Sequence, residues 1–227
     1  MNTEGSMPHP RLQELTLKLK SENASDRLLA LVALRSLPSA ETFPLIKPML
    51  FDDYLPVRSM AIRSLIHHPS AESVSLLVQL LDDPNYEIRA GAAGALGHVG
   101  DHDIVQALSR VFLEDTEWLV CFSAAVSLGN LKDPGAYAVL LHALDHPETI
   151  VQQAAIAALG EIKAFDALES LLPFVQAEDW MIRKSLATTL GNLPGPKSIS
   201  ALKYLAKDDN PQVAAAATVA LELIHEP

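Results

Sequence analysis

Arginine recurs at one position of a repeated pattern and supplies the first residues that could do chemistry. It stands directly after a Val, an Ile or, once, an Asp: Arg27, Arg58, Arg89 and Arg183. A guanidinium group binds a carboxylate or a phosphate through two parallel hydrogen bonds. The column therefore either recognises an anion or pairs with the Asp residues of the neighbouring turns. Cys121 and Gln152 remove charge from its middle, and Ala214 ends it.

Aromatic residues recur three positions before this column, as Tyr86, Trp118 and Trp180, and Phe122 follows Trp118 after one helical turn. Large rings are favoured at interfaces because they bury much area with little loss of entropy. The alternative is that each ring covers the turn beside it. We predict that a protein partner or a planar ligand binds near Trp118, Cys121 and Phe122. The full set of predicted binding residues is Tyr86, Arg89, Trp118, Cys121, Phe122, Gln152, Trp180 and Arg183.

The histidines and the cysteine are weaker candidates for a metal site or a catalytic nucleophile. His142 and His146 are four residues apart, which would place two metal ligands on one helix face, and His67 and His98 occupy equivalent repeat positions. A zinc site needs three or four ligands and no third one is evident, so no metal site is predicted. The pattern brings no general base to Cys121, and we expect a buried thiol there rather than a nucleophile. Motifs for phosphate, dinucleotide or zinc-protease chemistry are absent, so no catalytic residue or resident cofactor is predicted.

The elements that position these residues follow from an internal repeat with a period of about 31 residues. Val57, Ala61 and Leu65 lie at i, i+4 and i+8, a spacing that gives one buried helix face. The same triplet begins again, at a nearly constant step, at Ile88, Val120, Val151, Ile182 and Val213, and a weaker copy begins at Asp26. An acidic turn and another apolar stretch precede each triplet. The pattern predicts an all-α, right-handed α-solenoid of about seven HEAT-like helix–turn–helix repeats.

Other repeat families fit less well, and the glycines add detail to the prediction. Tetratricopeptide repeats have a longer period of about 34 residues, and ankyrin repeats carry a TPLHxA motif that this chain lacks. Gly100 and Gly160 are predicted to end second helices as C-caps. Gly97, Gly129 and Gly191 lie one turn further inside the pattern, where they are predicted to let neighbouring helices approach closely.

Composition narrows the classes of function. The formal charge is −11, from 28 Asp and Glu against 17 Lys and Arg, which disfavours nucleic-acid binding. One cysteine excludes an intrachain disulfide. No apolar stretch is long enough for a membrane span, and residues 1–10 do not resemble a secretory signal, so we expect a cytoplasmic protein. Residues 1–10 are predicted to form a flexible tail and residues 11–227 a single domain.

Two segments carry a resemblance to a known family. One contains Glu117, Trp118, Leu119, Phe122, Ser123, Leu128 and Gly129, and the other runs from Leu171 to Trp180. With them, residues 24–193 resemble the cyanobacterial HEAT-repeat family of E/F-type phycocyanobilin lyase subunits, and most of all its phycobilisome degradation members of the NblB type. The relatives have Gln where this chain has Cys121. The only residues that the resemblance carries over are Trp118, Phe122 and Trp180, as elements of a shared binding face.

The resemblance implies work on the light-harvesting antenna. The first expectation is a non-catalytic adaptor that binds phycobiliprotein subunits, or an assembly or degradation factor, in phycobilisome degradation or remodelling at the thylakoid surface. The second is a bilin lyase or chromophore-detaching subunit, which would hold phycocyanobilin as a transient ligand, with Arg89 or Arg183 at its propionates, and act as a heterodimer with another HEAT-repeat subunit. The third is a partner of iron–sulfur assembly proteins.

Overall fold

The computed structural model describes residues 10–225, and all regular elements in that range are helices. In chain order the α-helices are α1 (Pro10–Leu19), α2 (Ala24–Leu34), α3 (Ser39–Ile46), α4 (Leu55–Leu65), α5 (Ala71–Leu80), α6 (Tyr86–Val99), α7 (Val105–Glu114), α8 (Trp118–Leu131), α9 (Tyr137–Ala143), α10 (Thr149–Glu161), α11 (Leu168–Leu171), α12 (Trp180–Asn192), α13 (Pro196–Leu205) and α14 (Pro211–His225). Short 3₁₀ helices lie at Lys47–Phe51, His102–Ile104, Pro134–Ala136, Phe165–Ala167 and Leu172–Gln176.

Consecutive helices form seven helix–turn–helix repeats, from α1 with α2 to α13 with α14, which confirms the predicted all-α fold and the number of repeats. The first helices of two repeats are interrupted, because Pro48 and Pro173 lack the backbone N–H that an α-helix requires, and 3₁₀ helices continue from there. Residues 1–9 of the predicted tail lie outside the described residues, and α1 begins at Pro10.

The chain divides into two compact units between Ala95 and Leu96, called unit 1 and unit 2 here. In unit 1, α1 packs on α2 and α3, and α2 packs on α4. In unit 2, the second helices pack on one another in sequence: α8 on α10, α10 on α12 and α12 on α14. The single domain predicted for residues 11–227 stays a prediction.

The predicted apolar triplets form the core of each unit. In α8 of unit 2, Val120, Ala124 and Leu128 are completely buried. The equivalent residues of α10 and α12 are buried to the same degree, and so are Val57, Ala61 and Leu65 of α4 in unit 1. Burial of one stripe per second helix is what the spacing of four residues predicts, since those side chains lie on one helix face.

A column of glycines sets how closely the second helices of unit 2 approach. A Cβ on Gly129 would lie 2.8 Å from the Cα of Ala158, and one on Gly191 would lie 3.0 Å from the Cβ of Ala220. The close packing predicted for Gly97, Gly129 and Gly191 is therefore confirmed.

The prediction that Gly160 caps a helix is wrong. Helix α10 continues past it to Glu161, and Lys163, with φ 56°, takes the left-handed conformation instead. Gly160 belongs to the packing column, because a Cβ there would lie 3.1 Å from the side chain of Thr189. Gly100 does follow the last residue of α6, and its N–H donates to the carbonyl of Leu96 at 2.8 Å.

Candidate functional site

Each arginine of the column donates to the turn before its own second helix. In α12, Nη1 of Arg183 donates to the carbonyl of Ala177 at 2.7 Å, and its Nε and Nη2 donate to the carboxylate of Asp208 at 2.7 and 2.9 Å. Arg27 of unit 1 repeats the arrangement with the carbonyl of Ser21 and the carboxylate of Asp52. Arg58 and Arg89 also donate Nη1 to the carbonyl six residues before them. These bonds favour the internal role of the column over anion recognition.

The two residues that interrupt the column perform the same task with different chemistry. Nε2 of Gln152 donates to the carbonyl of His146 at 2.9 Å. Sγ of Cys121 lies 3.5 Å from the carbonyl oxygen of Asp115 and 3.6 Å from that of Phe112, and its one proton can be donated to either. His146 and Asp115 both lie six residues earlier, as the acceptors do for arginine.

The sequence also shows that the arginine and its acidic partner are replaced together. An Asp follows each of Arg27, Arg58 and Arg183 at one fixed distance along the chain. At the same distance after Cys121 and Gln152 the chain has His146 and Ala177 instead. The partner of the arginine is lost where the arginine is lost.

The electrostatics of the turns agree with a structural role. The hydrogen bond from Arg183 holds the pKa of Asp208 below its usual range, with smaller help from the N–H of Asn210. Burial raises the pKa of the Cys121 thiol, and the nearby Asp115 carboxylate adds to the effect. Cys121 is 2% exposed and keeps its proton at neutral pH, so it lacks both the access and the thiolate that a nucleophile requires.

In unit 2, the flank of the second helices that lies away from the turn residues Cys121, Gln152 and Arg183 is open to solvent. Among the described residues of this unit, six of the nine most exposed large hydrophobic side chains lie on second helices, and the others are Leu113, Phe165 and Tyr204. We call this surface the exposed face; its residues are Trp118, Phe122, Val126, Ile150, Ala157, Met181, Ala215, Val219 and Leu223. Isolated apolar residues on a surface are ordinary, but a contiguous apolar patch marks an interaction site.

The exposed face has an aromatic end and two grooves. Trp118, 46% exposed, Phe122 and Val126 follow one another at intervals of four residues and so form one stripe along α8. A groove of about 280 Å³ separates α10 from α12, with Trp180 and Met181 in its wall. A more apolar groove of about 390 Å³ separates α12 from α14 and is lined by small residues and by Val219 and Leu223.

The predicted binding residues fall into three groups. Tyr86 and Arg89 belong to unit 1, where Tyr86 is exposed and Arg89 contacts the turn before α6. Trp118, Phe122 and Trp180 lie on the exposed face or in its groove. The remaining three are the turn residues of α8, α10 and α12: Cys121, Gln152 and Arg183.

Sequence reasoning did not select Val126, Ile150, Met181 and Val219 of the exposed face. A signal for them exists, because they stand either one residue before or six residues after the buried Val or Ile. At 100° per residue both positions lie about 100–120° from the buried stripe, on the flank away from the turn residues.

His146, one of the two histidines spaced by four residues, already has partners within unit 2, and His142 is exposed. Nδ1 of His146 accepts a hydrogen bond from the N–H of Glu148 at 3.0 Å, and its ring packs against Phe112 with centroids 6.2 Å apart. Over residues 10–225 no cluster of three or more His, Cys, Asp or Glu is arranged to hold a metal ion. Among the same residues, no helix combines the length and the apolar character that a bilayer span requires.

Solved structures with the same fold include three informative examples. The complex of CpcE and CpcF of phycocyanin lyase from Nostoc sp. PCC7120 aligns over 99% of this chain and 98% of that one, with 20% identity and a TM-score of 0.61. YIBA from E. coli aligns over 93% and 81%, with 17% identity and a TM-score of 0.67. An engineered protein aligns over 95% and 97%, with 23% identity and a TM-score of 0.55. At these identities the likeness shows the fold.

Sequence comparison identifies the family. No curated protein matches the sequence. The family model for HEAT repeats matches residues 12–86, 74–159 and 137–222, which together span nearly the whole of the described chain. These matches agree with the seven helix pairs and with the buried triplets of the second helices. The chain belongs to the HEAT-repeat family.

Proposed function

We propose that this protein is a non-catalytic adaptor that binds a protein partner on the exposed face of unit 2. The observation that carries the proposal is the concentration of exposed large apolar side chains on α8, α10, α12 and α14. Leaving these side chains in water is unfavourable, and a partner that covers them would gain the free energy of their burial. The aromatic stripe that begins at Trp118 has the composition of an interface hot spot.

The partner we propose is a phycobiliprotein, bound in the cytoplasm during degradation or remodelling of the phycobilisome. The support comes from the resemblance of residues 24–193 to the E/F-type lyase family and its NblB-type members. It also comes from the fold shared with the CpcE–CpcF complex of phycocyanin lyase.

A protein partner is favoured over a tetrapyrrole by the positions of the arginines. A bilin would need cations for its propionates, but the guanidinium of Arg183 already donates hydrogen bonds to Asp208 and to carbonyls of the preceding turn. Gln152 and Cys121 stand on the same flank and carry no positive charge. The exposed face is thus mainly apolar; Lys184 lines both of its grooves, but its Nζ already donates to Oε1 of Gln212 at 3.2 Å.

Capture of purified phycocyanin by the immobilised protein tests this function. Trp118→Ala is expected to weaken capture about tenfold or more while the melting temperature changes little, because the ring is 46% exposed. Phe165→Ala is the matched control: its ring is 54% exposed but lies outside the second helices, so capture is expected to persist. A large fall in melting temperature with unchanged capture in Trp118→Ala would contradict the proposal.

A bilin-binding role is the second candidate, and the spacing of Trp118 and Phe122 by one helical turn favours it, since two such rings could hold a planar chromophore. Titration with phycocyanobilin separates the two functions. A shifted visible absorption band that is lost in Trp118→Ala would support the bilin role, alone or with a second HEAT-repeat subunit. No shift, together with capture of phycocyanin, would support the adaptor. Retention of an iron–sulfur carrier instead of phycocyanin would overturn both.

A further inference from the structure

We infer that the occupant of the exposed face is an amphipathic helix with basic residues along one edge of its apolar stripe. This inference rests on the proposed function, since it specifies the kind of partner surface that the face receives. Three observations carry it: the shape of the grooves, the charge along one edge of the face, and the residues that occupy the N-caps of α8 and α10.

The shape of the face suits a helix. Two grooves run side by side along α12, and Lys184, Thr188 and Asn192 of this helix contribute to both. Small side chains line the larger groove, which allows another backbone to approach closely; they are Gly191, Ala215 and Ala216. Packed helices place the side chains of one helix into the grooves of the next, so an added helix would continue the arrangement that already joins α10, α12 and α14.

The edge of the face at the N-termini of the second helices is acidic. Five carboxylates lie there, none of them in an ion pair within the described residues: Glu117, Glu148, Glu178, Asp179 and Asp209. Two basic residues also lie at this edge: Lys207, in the turn before α14, and Arg183, which is paired with Asp208. Unit 2 as a whole is also negatively charged, because residues 96–227 hold 17 Asp and Glu against eight Lys and Arg. In unit 1, residues 1–95 hold 11 Asp and Glu against nine Lys and Arg. A basic edge on the partner would be attracted to this row.

Two of these carboxylates, those of Glu117 and Glu148, occupy N-cap positions without capping their helices. Asp179 occupies the N-cap of α12 and accepts a hydrogen bond from the N–H of Met181, as an N-cap residue is expected to do. Glu117 and Glu148 occupy the N-caps of α8 and α10 but make no such bond and are exposed. Asp or Asn would cap these helices better. The longer Glu side chains leave two carboxylates uncommitted beside Trp118 and Ile150, where they are available to a partner.

Two labelled synthetic helices of about 18 residues, or roughly five helical turns, test the inference by fluorescence anisotropy. Both carry the same leucine stripe; one has a polar face of Lys and the other of Glu. We expect the Lys helix to bind at least tenfold more tightly than the Glu helix, and its affinity to fall as NaCl rises from 50 to 500 mM. The double variant Glu117→Gln/Glu148→Gln is expected to weaken binding of the Lys helix about threefold to tenfold.

A control variant that removes the same amount of charge separates the effect of the acidic edge from the effect of the protein's net charge. Asp103→Asn/Asp166→Asn removes two exposed carboxylates from the 3₁₀ helices that precede α7 and α11, and we expect the affinity to change less than twofold. An equal loss in this control would overturn the inference, because it would mean that net charge alone attracts the peptide. Unchanged binding of the Lys helix to Val126→Asp would also overturn it, since the apolar face would then play no part.

The outcomes for the peptides and for phycocyanin are independent. If the Glu helix binds as tightly as the Lys helix, or if neither binds while phycocyanin capture still depends on Trp118, the basic helix is wrong and the adaptor function stands. If the Lys helix binds as expected but phycocyanin is not captured, the edge chemistry stands and the proposed partner is wrong.

Discussion

The second helices of unit 2 have two sides that obey different constraints. On the buried side every triplet is apolar: Val120, Ala124 and Leu128 of α8 recur as Val151, Ala155 and Leu159 in α10 and as Ile182, Leu186 and Leu190 in α12. The glycine column keeps neighbouring backbones in contact. On the exposed side, the position of Val126 is taken by Ala157, Thr188 and Val219 in the next helices. Burial excludes polar side chains from the triplet, whereas a solvent-facing position accepts polar and apolar side chains.

The turn residues show why variation alone does not reveal function. Arg183, Gln152 and Cys121 differ in charge and size, yet each donates to the carbonyl six residues before it. In these three turns the side chain supplies a donor to a partly buried carbonyl, which would otherwise lose a hydrogen bond; Ala214, at the equivalent position of α14, cannot do so. The break in the arginine column therefore reflects three ways to satisfy one backbone group, and the candidate binding surface lies on the other flank of the same helices.

The largest effect is expected from filling the glycine column. Gly129→Ala should lower the free energy of unfolding by about 1–3 kcal/mol, because the new Cβ would lie 2.8 Å from the Cα of Ala158 and the helices would have to separate. Gly94→Ala, at a helical position with nothing within 4 Å, should raise it by about 0.5–1 kcal/mol. Urea denaturation of both variants measures the difference. Similar behaviour of the two would contradict the close contact.

The next effect separates two adjacent residues on different sides of α12. Arg183→Met should lower the free energy of unfolding by about 1–3 kcal/mol, since it leaves the Ala177 carbonyl without its donor and the Asp208 carboxylate, 8% exposed, without its partner. Lys184→Met, on the exposed side, should change it by less than about 0.5 kcal/mol. Phycocyanin capture supplies the second readout. Loss of capture in Arg183→Met at unchanged stability would return the arginine column to the binding site.

A smaller effect is expected in the pH dependence of the free energy of unfolding. Because Arg183 holds the pKa of Asp208 below its unfolded value, this carboxylate stabilises the fold above about pH 4, and the contribution is lost as the pH falls through the folded pKa. Asp208→Asn should be less stable than the wild type at pH 7, with a difference that shrinks as the pH falls below about 4. Asp166→Asn, at an exposed carboxylate that forms no ion pair with the described residues, is the control for the removal of one negative charge. Urea midpoints between pH 2.5 and 7 test both variants.

The smallest effect is expected at Cys121. A serine hydroxyl can donate to the same carbonyl of Asp115, so Cys121→Ser should change the free energy of unfolding by less than about 1 kcal/mol. In the wild type, a disulfide reagent should modify the thiol slowly until urea unfolds the protein, because Cys121 is buried and its pKa is raised. Rapid modification of the folded protein would show that the thiol belongs to the open surface.

Much of the fold could be predicted because the repeat is local. The triplet of Val151, Ala155 and Leu159 shows a helix face within one short segment, and its regular return along the chain shows how many times the unit occurs. The role of Gly160 could not be read in the same way. A glycine near a helix end suits a C-cap as well as a close contact, and the choice depends on Thr189, which lies in the second helix of the next repeat.

The candidate site was predictable only in part, for a related reason. The rings of Trp118 and Phe122 are unusual residue types and were recognisable as binding residues, whereas Val126 and Ile150 have the same types as the core. Their exposure follows from which flank of each helix a neighbour covers, and that is a property of packing.

The sequence by itself determined the all-α repeat, the buried stripe of each second helix and the acidic character of residues 96–227, because periodicity and charge are carried by the chain itself. Only the tertiary structure decided that Arg183, Gln152 and Cys121 face carbonyls while Trp118 and Met181 face solvent. The two flanks of a second helix differ by the contacts of neighbouring helices. The sequence gives the position of each residue relative to the buried stripe, but the packing of those neighbours decides which flank is left uncovered.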